Sequence, residues 1–349
     1  MAKKNSTLKK IIIAVVVIIA VIIIGIASVF GGHVKTLKSI ERIGDTQLFT
    51  MEYQTDYGLD EFMETGASTD AELVSFVANQ LLHGIPLEFD LPDLGCSTFA
   101  AETPEGDRLF GRNFDMYYSP ALLVKTAPKD GYKSLSMVNL AYIGYSEDKL
   151  PVDLKSSFLS LAAPYVPLDG VNEKGLAVGV LLIDTTPTNQ QTDKVDITTT
   201  SAIRMMLDKC ATVDEAVEML KAYDMHASAN SCYHFQIADA TGKSVVVEYI
   251  NDEISVLDED AATNFLLTPG DYDFGGGQDR YDIIRTALDE NNSVLTEDGA
   301  MDVLAAVKQE PKPEKRSYTQ WSCIYNLTDP QVNISVGMDY DNIYTYNVD

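Results

Sequence analysis

The chain has 349 residues, of which 46% are apolar, with 26 basic and 52 acidic side chains. That length and apolar content exclude a disordered chain and leave room for a large core. From residue 39 onward 20 basic side chains stand against 52 acidic ones, a surface that repels phosphate backbones and argues against nucleic acid as a partner.

Residues 1–10 read MAKKNSTLKK, and residues 11–30, IIIAVVVIIAVIIIGIASVF, carry no charge. A helix of that length would be about 30 Å long, the thickness of a bilayer's hydrocarbon core. The four preceding lysines would keep the N-terminus cytoplasmic and send the remainder outward. The expectation is a cytoplasmic tail at 1–10 and an uncleaved signal anchor at 11–30, with the following domain extracytoplasmic at the cell membrane. The alternative is secretion after signal cleavage, with Gly25-Ile26-Ala27 as a passable site, although signal peptides usually have an apolar region of about 7–15 residues.

Residues 31–67 show no clear period. Thr69 and Glu72 fit a capping box ahead of a helix carrying Leu73, Val74, Phe76, Val77, Leu81 and Leu82. Pro92 in LEFDLPDLG then breaks any helix. The stretch GCSTFAAETPEGDRLFGRNFD at 95–115 holds two apolar runs around a Pro- and Gly-containing polar turn, which predicts a hairpin. Such a hairpin would bring Cys96, Arg112 and Asp115 together, a thiol with a cation and a carboxylate, as a supported nucleophile needs. The bland reading of a Cys beside a Gly is a small core residue.

Strands are expected at 134–140 and 175–183, separated by a weakly patterned stretch at 141–170 that could cover the core or bind a substrate. A polar loop spans 184–198. Ile203, Met206, Leu207 and Cys210 share one helical face, and Thr212 with Glu215 caps a second helix through Leu220. A strand at 234–239, the turn ATGK and a strand at 244–250 form another hairpin, followed by a strand at 253–257. Helices near 280–288 and 296–308, a PKPEK loop at 311–315, and strands at 321–327 and 332–336 complete the chain. Hairpin-linked strands with segregated helix pairs indicate layered α+β.

Cys96, Cys210, Cys232 and Cys323 are widely spaced without a CxxC pair, so metal and redox motifs are weak and no cofactor is expected. In an extracytoplasmic domain one disulfide among Cys210, Cys232 and Cys323 is open, as is burial of all three thiols.

The stretch at 95–115 resembles the nucleophile hairpin of the linear amide C–N hydrolases. These N-terminal-nucleophile hydrolases include choloylglycine (bile salt) hydrolases and penicillin V acylases and, more distantly, acid ceramidase, N-acylethanolamine acid amidase and isopenicillin N acyltransferases. The resemblance continues in GVNEKGLAVGV at 170–180, TTSAIRMMLDKCATVDEAVEML at 199–220 and HFQIADATGKSVVVEY at 234–249. It then runs through TNF at 263–265, DRYDIIRTAL at 279–288 and WS at 321–322. It implies a four-layer αββα sandwich at 96–349 that hydrolyses a linear N-acyl amide, a C–N bond other than a peptide bond. It also implies cleavage after Gly95, which frees Cys96 as an N-terminal nucleophile whose α-amine is its general base. Arg112 then resembles the arginine that supports nucleophile and substrate, and Asp115 the acid that holds the α-amine. Asn172 and Asn264 resemble the oxyanion-stabilising groups, and Arg280 the arginine that orients the site. In the bile salt hydrolases the Cys follows the initiator Met, whereas here 95 residues precede it. That makes 31–95 a juxtamembrane and pro-segment, as in the acid ceramidase and acyltransferase branch. Relatives of this kind are commonly multimeric, which leaves a homo-oligomer open.

Three other readings compete. An acyltransferase of the same fold would pass the acyl group to an amine. A cysteine peptidase would use a Cys96–His dyad, with His226 or His234 as base. A non-catalytic surface protein would bind amphipathic ligands in the pocket.

Overall fold

The computed structural model describes residues 30–85, 95–311 and 317–349. Apart from Phe30, the expected membrane span at 11–30 lies outside the described residues, as do the LEFDLPDL stretch and most of the 311–315 loop. Among the described residues no helix is long and apolar enough to cross a membrane.

A helical stretch over 30–38 leads into β1 (Glu41–Arg42), β2 (Leu48–Tyr53), α1 (Leu59–Thr65) and α2 (Asp70–Gln80). The expected hairpin follows as β3 (Gly95–Glu102) and β4 (Arg108–Met116), then β5 (Ala121–Thr126), β6 (Ser134–Asn139), β7 (Pro167–Asn172) and β8 (Ala177–Ile183). Short β9 (Asp196–Thr198) precedes α3 (Thr199–Lys209), α4 (Val213–Ala222) and short β10 (Asp224–His226). Next come β11 (Cys232–Ala238), β12 (Ser244–Ile250), β13 (Glu253–Leu257) and β14 (Ala261–Ala262). Helices α5 (Gln278–Glu290) and α6 (Glu297–Ala306), then β15 (Tyr318–Asn326), β16 (Gln331–Val336) and β17 (Tyr344–Asn347), end the chain.

Nine strands form one sheet in the order β1-β2-β5-β6-β7-β8-β11-β12-β13, and six form a second in the order β14-β3-β4-β15-β16-β17. Helices α3 and α4 pack on the larger sheet, α5 and α6 on the smaller, and β3 meets β8 and β11 between the sheets. The result is four layers, αββα. The sheets approach closely at Gly179, where a Cβ would lie 3.1 Å from Thr98 Cγ2 and 3.2 Å from the Phe110 ring. A larger residue there would push the layers apart.

Both anticipated capping boxes form in a shifted version. Thr69 and Thr212 accept from the Glu72 and Glu215 main-chain nitrogens. The glutamates, however, reach one residue further back, to the nitrogens of Ser68 and Ala211. The donor satisfied is the one just outside each cap.

Residues 31–67 differ from expectation. They are not irregular: β2 is laid parallel along β5, and its partner residues are roughly seventy positions away in the chain. Tyr53 Oη donates to the Leu161 carbonyl (2.8 Å) and Tyr57 Oη to the Asp208 carboxylate, while Tyr165 Oη donates to the Tyr57 carbonyl (2.9 Å). Leu48, Phe49 and Phe62 are fully buried. This segment therefore belongs to the core. The stretch at 141–170 reaches the core at its two ends, through 3₁₀ turns at Leu140–Ile143 and Phe158–Tyr165 before β7, while Val152 and Leu154 between them are exposed. All four cysteines are buried and free, without a disulfide.

Candidate active site

The register of the hairpin sets the site. Gly95 stands opposite Asp115, Cys96 opposite Phe114, and Thr98 opposite Arg112. Side chains alternate across a strand, so Cys96 and Arg112 face the other sheet, while Gly95, Ser97 and Asp115 face the layer of α5 and α6. The expected trio thus straddles the sheet instead of meeting at one point.

On the inner face Cys96 and Arg112 are fully buried. Arg112 Nε lies 3.4 Å from Asp169 Oδ2, a carboxylate of β7 in the opposing sheet. Asp169 also accepts from Trp321 Nε1 at 3.4 Å and from the Tyr325 hydroxyl. Phe114 stacks on Trp321 with centroids 4.0 Å apart, and the Arg112 guanidinium lies 5.7 Å from the Phe114 ring. Burial pushes the Cys96 thiol up from its ordinary pKa, against the opposing pull of the Arg112 cation. Burial alone would lower the Arg112 pKa, but Cys96 and Asp169 beside it outweigh this and raise it. Arg112 is also hydrogen-bonded to the Cys96 thiol, which keeps the cation beside the nucleophile.

On the outer face Asp115 accepts from Thr319 Oγ1 at 2.6 Å and from Gln309 Nε2 at 2.5 Å. Arg280 Nη1 lies 3.4 Å from the same carboxylate, 2.5 Å from the Cys96 carbonyl oxygen and 2.7 Å from Ser97 Oγ. Arg280 Nη2 donates to Asn264 Oδ1 at 2.8 Å. That same oxygen accepts from the Cys96 main-chain nitrogen at 2.8 Å, and Asn264 Nδ2 donates to the Leu182 carbonyl at 2.9 Å. A cavity of about 240 Å³ opens here, lined by Gly95, Leu182, Asp184, Asn264, the glycines at 275–277 and Arg280.

The fold therefore gathers Cys96, Arg112, Asp115, Asn264 and Arg280. Asn172 is not among them. Its Nδ2 donates to the Leu207 and Cys210 carbonyls (2.9 and 2.7 Å), and its Oδ1 accepts from the Lys174 and Leu176 nitrogens. With every amide group spent on the β7–β8 turn and the end of α3, it has none left for an oxyanion. The histidine dyad is also absent from the geometry. His226 Nε2 lies 3.1 Å from Asp196, and His234 is held by Glu248 and the Thr263 carbonyl. Asp169, Leu182, Gln309 and Thr319 went unforeseen. Only Asp169, in the apolar run PLDGVN, left a trace, as an acid where a buried strand has no place for an unpaired one.

Four αββα layers with a Cys at the head of a hairpin strand define an N-terminal-nucleophile-hydrolase-like α+β protein. Residues 96–274, just over half of the chain, match the linear amide C–N hydrolases, choloylglycine hydrolase family, and the chain belongs to that family. The match begins at Cys96 itself. A curated relative, the bile salt hydrolase/transferase of Clostridium perfringens (strain 13 / Type A), is 29% identical over 176 residues, 47% of this chain and 50% of the relative. The chain thus spans about half the length of that relative. Among solved structures, a mutant conjugated bile acid hydrolase from Clostridium perfringens aligns with a TM-score of 0.54 at 18% identity, covering 72% of this chain and 92% of its own. Penicillin V acylase from Agrobacterium tumefaciens aligns with a TM-score of 0.52 at 16% identity, covering 72% and 86%. At these identities the likeness is one of fold.

Proposed function

We propose that the protein is a membrane-anchored, extracytoplasmic amidase that hydrolyses the C–N bond of a linear N-acyl amide with Cys96, freed by autocatalytic cleavage after Gly95. The observation that carries the reading is the Cys96 main-chain nitrogen. It is held at 2.8 Å by Asn264 Oδ1 beside a buried thiol, while His226 and His234 are engaged with Asp196, Glu248 and the Thr263 carbonyl. In self-cleavage the Cys96 sulfur attacks the Gly95 carbonyl carbon, the peptide C–N bond breaks, and water hydrolyses the resulting thioester. The products are a Gly95 carboxylate and a free α-amine on Cys96. An α-amine has a reference pKa of about 7.7–8.0, close to neutral pH, where a proton acceptor is most effective.

The amine then takes the thiol proton as sulfur adds to the substrate carbonyl. One Asn264 Nδ2 hydrogen is engaged by Leu182, and the second is available to the developing oxyanion. Collapse breaks the C–N bond, the α-ammonium passes its proton to the leaving amine, and water cleaves the acyl-thioester to a carboxylic acid. An amine in place of water would make the same site a transferase, a second reading suggested by the hydrolase/transferase name of the relative. The anchor rests on the uncharged run at 11–30 behind four lysines.

The test is the intact mass, under denaturing conditions, of residues 31–349 as wild type and as Cys96→Ala. A panel of bile acid, penicillin, fatty and amino-acid N-acyl amides is assayed alongside. Two wild-type chains, the larger beginning at Cys96, with amide turnover and an uncut, inactive variant are the expected result. An uncut wild type that hydrolyses amides would overturn the α-amine base.

A further inference from the structure

We infer that His234 and Glu248 are positioning residues for Asn264, acting through the chain segment that carries it. This rests on the amidase reading of the site. Both side chains are fully buried, one step beyond the Phe235–Val247 pair of β11 and β12. His234 Nε2 donates to the Thr263 carbonyl at 2.7 Å, and its Nδ1 lies 3.3 Å from Glu248 Oε1. Glu248 accepts from the main-chain nitrogens of Leu267 (2.7 Å) and Thr268 (3.0 Å). Burial works against the Glu248 carboxylate, yet His234, the Leu267 main-chain nitrogen and the Thr268 side chain hold its pKa below the usual range.

These contacts clamp the chain on both sides of Asn264, at 263 and at 267–268. Apart from β14, the segment from 258 to 277 runs without regular structure, so no continuous ladder of its own would fix it. On its other side Asn264 gains only the Gly276 main-chain nitrogen at 2.8 Å, and Thr263 Oγ1 reaches the Gly277 carbonyl at 3.0 Å. Because Asn264 touches the Cys96 nitrogen, Arg280 and Leu182 at once, a small displacement of this segment unseats three contacts of the site. Burying polar side chains is costly unless they are hydrogen-bonded, and here the bonds run to the segment that carries Asn264.

The experiment is a double-mutant cycle on the panel amide with the highest turnover, together with hydrogen exchange of the peptide spanning 261–270. His234→Phe is expected to lower kcat about 100-fold with KM unchanged, the scale of an ångström misplacement. His234→Gln, which keeps a donor toward Thr263, should stay within about 5-fold of wild type by the same argument. On an Asn264→Ala background His234→Phe should add little, because the two act as a unit. Exchange of the 261–270 amides should speed up in His234→Phe and in Glu248→Gln. Additive losses on the two backgrounds, or unchanged exchange in both folded variants, would overturn the inference. If wild type hydrolyses no amide, the functional reading fails, while the exchange experiment still decides whether the pair holds the segment.

Discussion

Gly95 and Asp115 face each other across the hairpin. A Cβ at position 95 would lie 2.3 Å from Gln309 Nε2 and 3.3 Å from Asp115 Oδ2. The carboxylate is thus aligned with the residue before the nucleophile, on the side of the proposed cut. Gly95→Ala should displace Gln309 and disturb the Asp115 contacts while leaving the thiol untouched. Self-cleavage should slow by about 100-fold, as expected for a misplacement near an ångström. A time course of intact mass reads this out, and an unchanged rate would separate Asp115 from the cleavage step.

The Arg112–Asp169 pair joins the two sheets with both partners fully buried. Arg112→Leu leaves Asp169 without its cation and should destabilise the fold by about 3–5 kcal/mol. Arg112→Leu combined with Asp169→Leu should recover much of that loss. Urea midpoints of the three proteins decide the matter. Equal losses for the single and double variants would mean that packing, not charge, dominates at this point.

The hairpin and most of the paired helices were legible because their signals are local: a Pro-Gly turn between apolar runs, a Thr followed three residues later by a Glu. Strand β2 was not, since it is specified by a parallel partner far along the chain and short-range periodicity cannot report that. Cys96, Arg112, Asp115, Asn264 and Arg280 are singled out by ordered motifs, although their division between two faces of a sheet appears only once the register is fixed. Asn172 misled because an Asn between glycines looks the same whether it closes a turn or serves a site. Gln309 had no mark at all: it reaches Asp115 because its own backbone pairs with Thr319 across a loop.

The segment at 30–85 should stay bound after cleavage. Wild type cut at Gly95 should elute as one species in native size-exclusion chromatography and separate into two chains only in denaturant. Tyr57→Phe, which removes the hydroxyl bonded to buried Asp208, should lower stability by about 1–3 kcal/mol. Release of the smaller chain under native conditions would contradict this.

All four thiols are raised by burial, Cys210 to about 12. Between the ordinary thiol value of about 8.5 and these raised values, the unfolded chain loses protons that the folded chain keeps. The native state binds more protons there, so stability must fall as pH rises. Urea midpoints measured from pH 8 to 10.5 should drop steadily. A flat profile would mean that the thiols titrate normally in the folded chain.

The parallel pairing of β2 on β5 has one more effect. A bare β5 would present a row of unpaired donors and acceptors, a template for joining another chain. With β2 in place the terminal strand of the large sheet is β1, two residues long and exposed, too short to recruit a neighbour. The segment ahead of the nucleophile is therefore also a guard against aggregation, and a chain stripped of it should form fibrils or precipitate where the intact one stays in solution.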